Sequence, residues 1–221
     1  MNVTKISNVV EVIPAIIGRD FSEVKEKLDA VRDFTTWVQL DVVDGKFAEP
    51  ESWKNPLDLW EPLELPKKIG LHLMVQYPEK VIADWMNSPA DRICIHYESE
   101  GDKHDMIKKI KDKGPQSCLV LNLETDISVI DPYIKALDVV QLMSIAKIGD
   151  YGEPFCEKVY EKIRALRAKY PSVTIQVDGG VNMENAKGLI DSGVNNLVIG
   201  SAIFKSDNIE KAIKEFKKLT Q

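Results

Sequence analysis

The chain has 221 residues, 44% of them hydrophobic and 29% charged, with a net charge of −6. Its length is near the ~250 residues usual for an α/β barrel, and the apolar content suffices for one packed domain. The acidity, with lysines scattered along helical stretches and no basic stripe, excludes nucleic acid as a main partner. No run approaches the ~18 apolar residues of a membrane span.

Apolar runs and amphipathic stretches of helical length alternate along the chain. A strand is predicted at 12–17, a helix at 21–34 and a strand at 37–42. Residues 50–66, rich in proline and tryptophan, fit neither pattern. A strand at 69–75 is followed by a helix at 78–87, where Pro78 suits a first turn that does not need its N–H. Strand 92–96 leads to helix 102–113, strand 117–121 to helix 128–135, and strand 139–143 to helix 153–169, with Pro154 placed in its first turn. Strand 173–177 precedes helix 183–192, which Ser192–Gly193 terminates. Strand 196–199 and helix 208–219 complete the series. Eight strands, each followed by a helical stretch, require crossovers and therefore parallel neighbours. The expectation is one domain, residues 1–221, folded as a closed (β/α)8 barrel.

Cys94, Cys118 and Cys156 form no C-x-x-C pair, and the first two sit in strand-like runs. Buried thiols in a reduced cytoplasmic protein are expected. Met1–Val10 has no charged start followed by an apolar stretch of signal-peptide length. Trp53, Trp60 and Trp85 are candidates for exposure, either at the interface of a homo-oligomer or capping the bottom of the barrel.

Strand side chains alternate with a period of two, so Gln39 and Asp41, His72 and Met74, and Gln176 and Asp178 each share a face. In a barrel the polar face points inward, and all three pairs lie towards C-terminal strand ends, where barrel active sites are built. Gln39, Asp41, His72 and Asp178 are expected to converge there. Two aspartates and a histidine can hold a divalent metal and move a proton on either face of a small substrate, which inverts a carbon beside a carbonyl. Asp44, in Asp-Gly, is assigned to fixing a loop. His96, with Glu98 two residues on, is equally suited to site support or packing, and His104 to solvent. Gly179–Gly180 and Gly200–Ser201 follow the seventh and eighth strands, where glycine backbones approach phosphate closely.

These residues resemble the ribulose-phosphate 3-epimerase family from about Pro14 to Phe204. The resemblance rests on I-P-A-I-I-G-R-D-F, V-Q-L-D-V-V-D-G-K-F, L-H-L-M-V, I-H-Y-E, L-N-L-E-T, the Met143–Ser144 strand end, V-D-G-G-V and G-S-A-I-F. It implies a TIM barrel of the ribulose-phosphate-binding type. It also implies interconversion of ribulose 5-phosphate and xylulose 5-phosphate through an enediolate, with one divalent ion (zinc, manganese, iron(II) or magnesium). Asp41 and Asp178 would be acid and base, and Asp41, His72 and Asp178 metal ligands. Met143 would line the substrate pocket, and Gly179, Gly180, Gly200 and Ser201 would hold the phosphate.

Four departures cluster at this site, one of them Val43, where the family has a methionine after the first aspartate. Gln39 stands where the family has its first metal-binding histidine; its amide oxygen is the remaining candidate ligand and a poor one for zinc. Ala15 replaces a serine. The family's N-P-G-F-G-G-Q flap has become A-K-I-G-D-Y-G-E at 146–153, with a new charge at Lys147. Two alternatives stand beside the epimerase: an enzyme acting on another ketose phosphate, and a non-catalytic phosphosugar-binding protein. Relatives that decarboxylate or condense sugar phosphates carry D-x-K-x-x-D, and Asp41-Val42-Val43-Asp44 has no such lysine.

Overall fold

The computed structural model describes residues 10–61, 65–149 and 151–220. Eight parallel strands close into a barrel in sequence order: β1 (Glu11–Ile16), β2 (Trp37–Val43), β3 (Lys68–Met74), β4 (Arg92–His96), β5 (Gln116–Leu121), β6 (Val139–Met143), β7 (Thr174–Asp178) and β8 (Asn196–Ile199). β8 returns to β1 through Glu11 with Asn196 to Pro14 with Ile199. The (β/α)8 expectation therefore holds, and every predicted strand lies within one residue of its observed ends.

Alternation divides each strand between two environments. Val38, Leu40, Val42, Leu71, Leu73, Ile93 and Ile95 pack outward into one apolar shell shared with the helices. The intervening positions contribute to three small apolar clusters, one around Cys94, Cys118 and Val139, one around Ile13, Trp37 and Val198, and one around Val43 and Met74. Between them lies a polar layer that includes Gln39, His72, Arg92, His96, Gln141 and Gln176, all buried.

The outer ring comprises α1 (Phe21–Val31), α2 (Ile82–Trp85), α3 (Lys103–Lys113), α4 (Lys158–Lys169), α5 (Ala186–Ser192), α6 (Ser201–Phe204) and α7 (Ile209–Leu219). None of these is long and apolar enough to cross a membrane. Asp20 caps α1 by accepting the Glu23 N–H, and Asp102 caps α3. Gly193 ends α5 in the left-handed region, as Ser192–Gly193 predicts.

Several helix expectations are corrected. The stretch 78–87 is a 3-10 turn at Pro78–Lys80 followed by the single turn of α2. The stretch 128–135 holds only a 3-10 turn at Ile127–Ile130, because Pro132 cannot donate to a continuing ladder. The helix predicted at 153–169 is α4 and begins at Lys158, which leaves Pro154 outside it. The Cys156 N–H instead donates to the Ser144 carbonyl at 2.8 Å, tying that segment to the end of β6. Trp53 and Trp85 are buried rather than exposed, edge to face at 5.5 Å, and the Trp53 indole N–H donates to Asp58 Oδ2 at 2.6 Å. Of the three tryptophans proposed as exposed, Trp60 alone is, at 62%.

Candidate active site

The β2–β3 register places Asp41 beside His72, and the β6–β7 register places Met143 beside Asp178. Round the closed barrel these positions meet at one mouth. His72 Nδ1 lies 3.2 Å from Asp41 Oδ1 and 3.4 Å from Asp178 Oδ2. Asp41, His72 and Asp178 each offer one ligand atom, all within 4.8 Å of one another. Gln39 Nε2 donates to Asp41 Oδ1 at 2.9 Å and to Asp178 Oδ2 at 2.7 Å. The four residues expected to converge therefore do so.

A second chain of contacts fixes the imidazole. Glu98 accepts the Asn122 N–H at 2.9 Å and the Thr125 hydroxyl, and it faces His96 Nδ1 at 3.3 Å. Burial works against the charge on Glu98, but these hydrogen bonds hold its carboxyl below the ordinary range. His96 therefore donates from Nδ1 and accepts at Nε2, which sits 2.9 Å from His72 Nε2. Burial, together with the charge on His72, lowers His96 to about 4 and keeps it neutral. His72 must then donate from Nε2, leaving Nδ1 directed at the two aspartates. That is the tautomer a metal-ligating histidine needs, set by an outer partner. Without an ion, burial opposes a proton on Nδ1, but Asp178 and Asp41 outweigh it and raise His72 to about 10. Burial, with the neighbouring Asp178 charge, raises Asp41. Two carboxylate oxygens and an imidazole nitrogen at this spacing fit a divalent ion.

The cleft above this cluster is lined by Asp41, His72, Met74, Met143, Asp178, Gly179, Gly180, Gly200 and Ser201. All the sequence-predicted substrate and phosphate residues thus face one cavity. Gly180 has φ +65°, and a Cβ there would meet the Phe155 backbone nitrogen at 2.9 Å. A Cβ on Gly200 would land on the Tyr151 ring. These glycines are accordingly required for close packing as well as for an open approach to a ligand. Ser144 secures the β6 end, its N–H donating to the Asp178 carbonyl at 2.8 Å.

Gly149, Tyr151, Gly152 and Glu153 also line the mouth. Tyr151 donates its hydroxyl hydrogen to the Ala15 carbonyl at 2.6 Å and accepts from the Ile17 N–H at 3.2 Å. Lys147 is exposed, whereas Tyr151 and Glu153 line the cleft. Asp44 fixes its loop by accepting the N–H groups of Lys46, Phe47 and Gln76, each at 2.8 Å. His104 is exposed at the start of α3. Sequence reasoning missed Gln141, Arg92 and Tyr151. Gln141 was accessible to it, since the period of two places it on the face of Met143. Arg92 starts its strand and reaches inward, which no local pattern signals.

The model of the ribulose-phosphate 3 epimerase family matches residues 11–204. The chain is 33% identical to the ribulose-phosphate 3-epimerase of Synechocystis, over 91% of this chain and 90% of that one. It is 32% identical to that of Bacillus subtilis, over 94% and 98%. It is 34% identical to the chloroplastic ribulose-5-phosphate-3-epimerase of Arabidopsis thaliana, over 93% and 75%. Among solved structures, 3-hexulose-6-phosphate synthase from Salmonella typhimurium superposes with a TM-score of 0.69 at 13% identity, covering 96% of this chain and 98% of that one, a likeness of fold alone.

Proposed function

The chain belongs to the ribulose-phosphate 3-epimerase family, and from that premise we propose that it interconverts ribulose 5-phosphate and xylulose 5-phosphate by inverting carbon 3. The observation that carries this reading is the meeting of Asp41 and Asp178, from β2 and β7, at one nitrogen of His72 inside one cleft. Inversion needs a proton acceptor on one face of the carbon and a donor on the other, so two carboxylates are the minimal set. Burial equips Asp41 to carry a proton that an exposed aspartate would release. Asp178 supplies the second carboxylate, and the two exchange roles with the direction of reaction.

A divalent ion held by Asp41, His72 and Asp178 would supply Lewis-acid stabilisation of the charge that develops on the substrate's carbonyl oxygen. Two oxygens and one imidazole suit zinc, manganese or iron(II) better than magnesium. Gly179, Gly180, Gly200 and Ser201 take the phosphate, and that remote binding energy positions carbon 3. Tyr151 and Glu153, both lining the cleft, favour as the second reading the same chemistry on a different ketose phosphate.

Proton exchange at carbon 3 in deuterium oxide, followed by NMR with each metal supplied in turn, tests the reading. Exchange accompanied by xylulose 5-phosphate is the expected result, and Asp178→Asn abolishes it. Absence of exchange from ribulose 5-phosphate in the folded wild type, with exchange from another ketose phosphate, selects the second reading.

A further inference from the structure

Gln39 is buried, and its amide has two ends with opposite chemistry. Which end faces the aspartates decides whether residue 39 is a metal ligand. The neighbouring hydrogen bonds decide that, starting from a group that can only donate. Arg92 Nη1 lies 2.5 Å from the side chain of Gln176. A guanidinium has no acceptor, so the Gln176 atom facing it is the oxygen. The Gln176 amide nitrogen then points the other way, and its two hydrogens reach Gln39 Oε1 at 2.9 Å and Gln141 Oε1 at 2.6 Å. Both glutamines therefore turn their nitrogens to the site. Gln39 Nε2 spends its two hydrogens on Asp41 and Asp178, and Gln141 Nε2 donates to Asp178 Oδ2 at 3.1 Å.

Along this path each amide hydrogen of Gln176 meets one glutamine oxygen, and Asp178 Oδ2 accepts from both Gln39 and Gln141. Turning Gln39 round would set its nitrogen against the Gln176 nitrogen, and turning Gln176 to relieve that would set its nitrogen against Arg92. Arg92 is itself anchored, donating through Nε and Nη2 to Gln116 Oε1 at 3.0 and 2.9 Å and stacking 4.2 Å from the Trp37 ring. The orientation is fixed from the barrel interior, not by the aspartates.

We infer that Gln39 is a positioning residue and not a metal ligand: the Arg92–Gln176 pair locks its amide nitrogen onto the two carboxylates, so an ion is held by Asp41, His72 and Asp178 alone. This rests on the proposed epimerase site. It gives Gln39 a part that a histidine in its place would not have, tying the two aspartates together through one amide. It also leaves the ion one protein ligand short, with the positive end of an amide dipole beside it.

The test is zinc titration by calorimetry on the metal-stripped full chain, a readout independent of turnover. Outer partners of metal ligands shift affinity by about 10–100-fold, which sets the scale. Gln39→Ala loosens the two carboxylates but also frees the oxygens its hydrogens occupy, so its zinc Kd is expected to stay within about threefold of wild type, below that range. Gln176→Glu is the second variant. It keeps the shape and the Arg92 contact but replaces the donor facing Gln39 with an acceptor, so the Gln39 amide turns its oxygen to the site. Zinc affinity in Gln176→Glu is expected to rise about tenfold or more. A loss of about tenfold in Gln39→Ala would overturn the inference, because an amide whose hydrogens compete with the ion for Asp41 Oδ1 and Asp178 Oδ2 is not missed in that way. An unchanged Kd in Gln176→Glu would overturn the orientation argument even if Gln39→Ala did not fold. The epimerase reading fails separately, through absent carbon-3 exchange in the wild type with the order of zinc affinities intact.

Discussion

His72 is held at both ring nitrogens, and each contact sets what the other can do. His96, oriented by Glu98, accepts from Nε2, so all exchange of proton for ion takes place at Nδ1. In the ion-free protein the neighbouring aspartates outweigh burial and keep His72 protonated up to about pH 10. A cation must displace that proton, so below this pH binding releases it and affinity rises as pH rises, by up to about tenfold per unit from this group. Calorimetry of zinc binding at pH 7 in two buffers of different ionisation heat should show at least one proton released per ion. No release would mean that the ion does not bind through Nδ1. The linkage is specific to residue 72, since His96 at about 4 has no proton to lose at neutral pH.

At the scale of elements, the barrel mouth joins strand ends to the segment that carries Tyr151. Tyr151 fastens that segment to β1 through two backbone partners, the Ala15 carbonyl and the Ile17 N–H. Residue 15, an alanine, thus contributes through its backbone. Tyr151→Phe keeps the ring over Gly200 and removes both hydrogen bonds. A typical net contribution of about 1 kcal/mol corresponds to roughly fivefold, so KM for ribulose 5-phosphate should rise by about that factor while kcat moves less. An unchanged KM would mean that the segment's position does not depend on the hydroxyl.

The strands were legible because each is a short apolar run, and the period of two puts Gln39 with Asp41, His72 with Met74 and Gln176 with Asp178 on inner faces. The elements after β3, β5 and β6 were less legible because tertiary contacts shorten them. Pro132 stops one, and the Cys156 N–H is taken by Ser144 before α4 can begin. The path from Arg92 through Gln176 to Gln39 joins β4, β7 and β2, and residues so far apart in sequence show their pairing only once the barrel is closed.

Over the whole molecule, closure is what brings the two aspartates together, because β2 and β7 meet at the mouth only through the β8–β1 seam. That seam is covered from outside by α7, which packs against β1, α1 and α5. α7 lies beyond residue 204, where the family match ends, yet Ile213 and Phe216 belong to the main apolar shell, Phe216 at 1% exposure. Phe216→Ala removes a buried ring from a site held between a strand and two helices, where backbone collapse is restricted. A cost of about 3–5 kcal/mol is expected, a large share of the ~5–15 kcal/mol that holds a domain folded. Urea unfolding should show a lower midpoint with an unchanged slope. Because Phe216 is not among the residues that line the cleft, carbon-3 exchange well below the unfolding transition should proceed at the wild-type rate. A loss of exchange in fully folded protein would show instead that α7 sets the strand register at the seam, and with it the separation of Asp41 from Asp178.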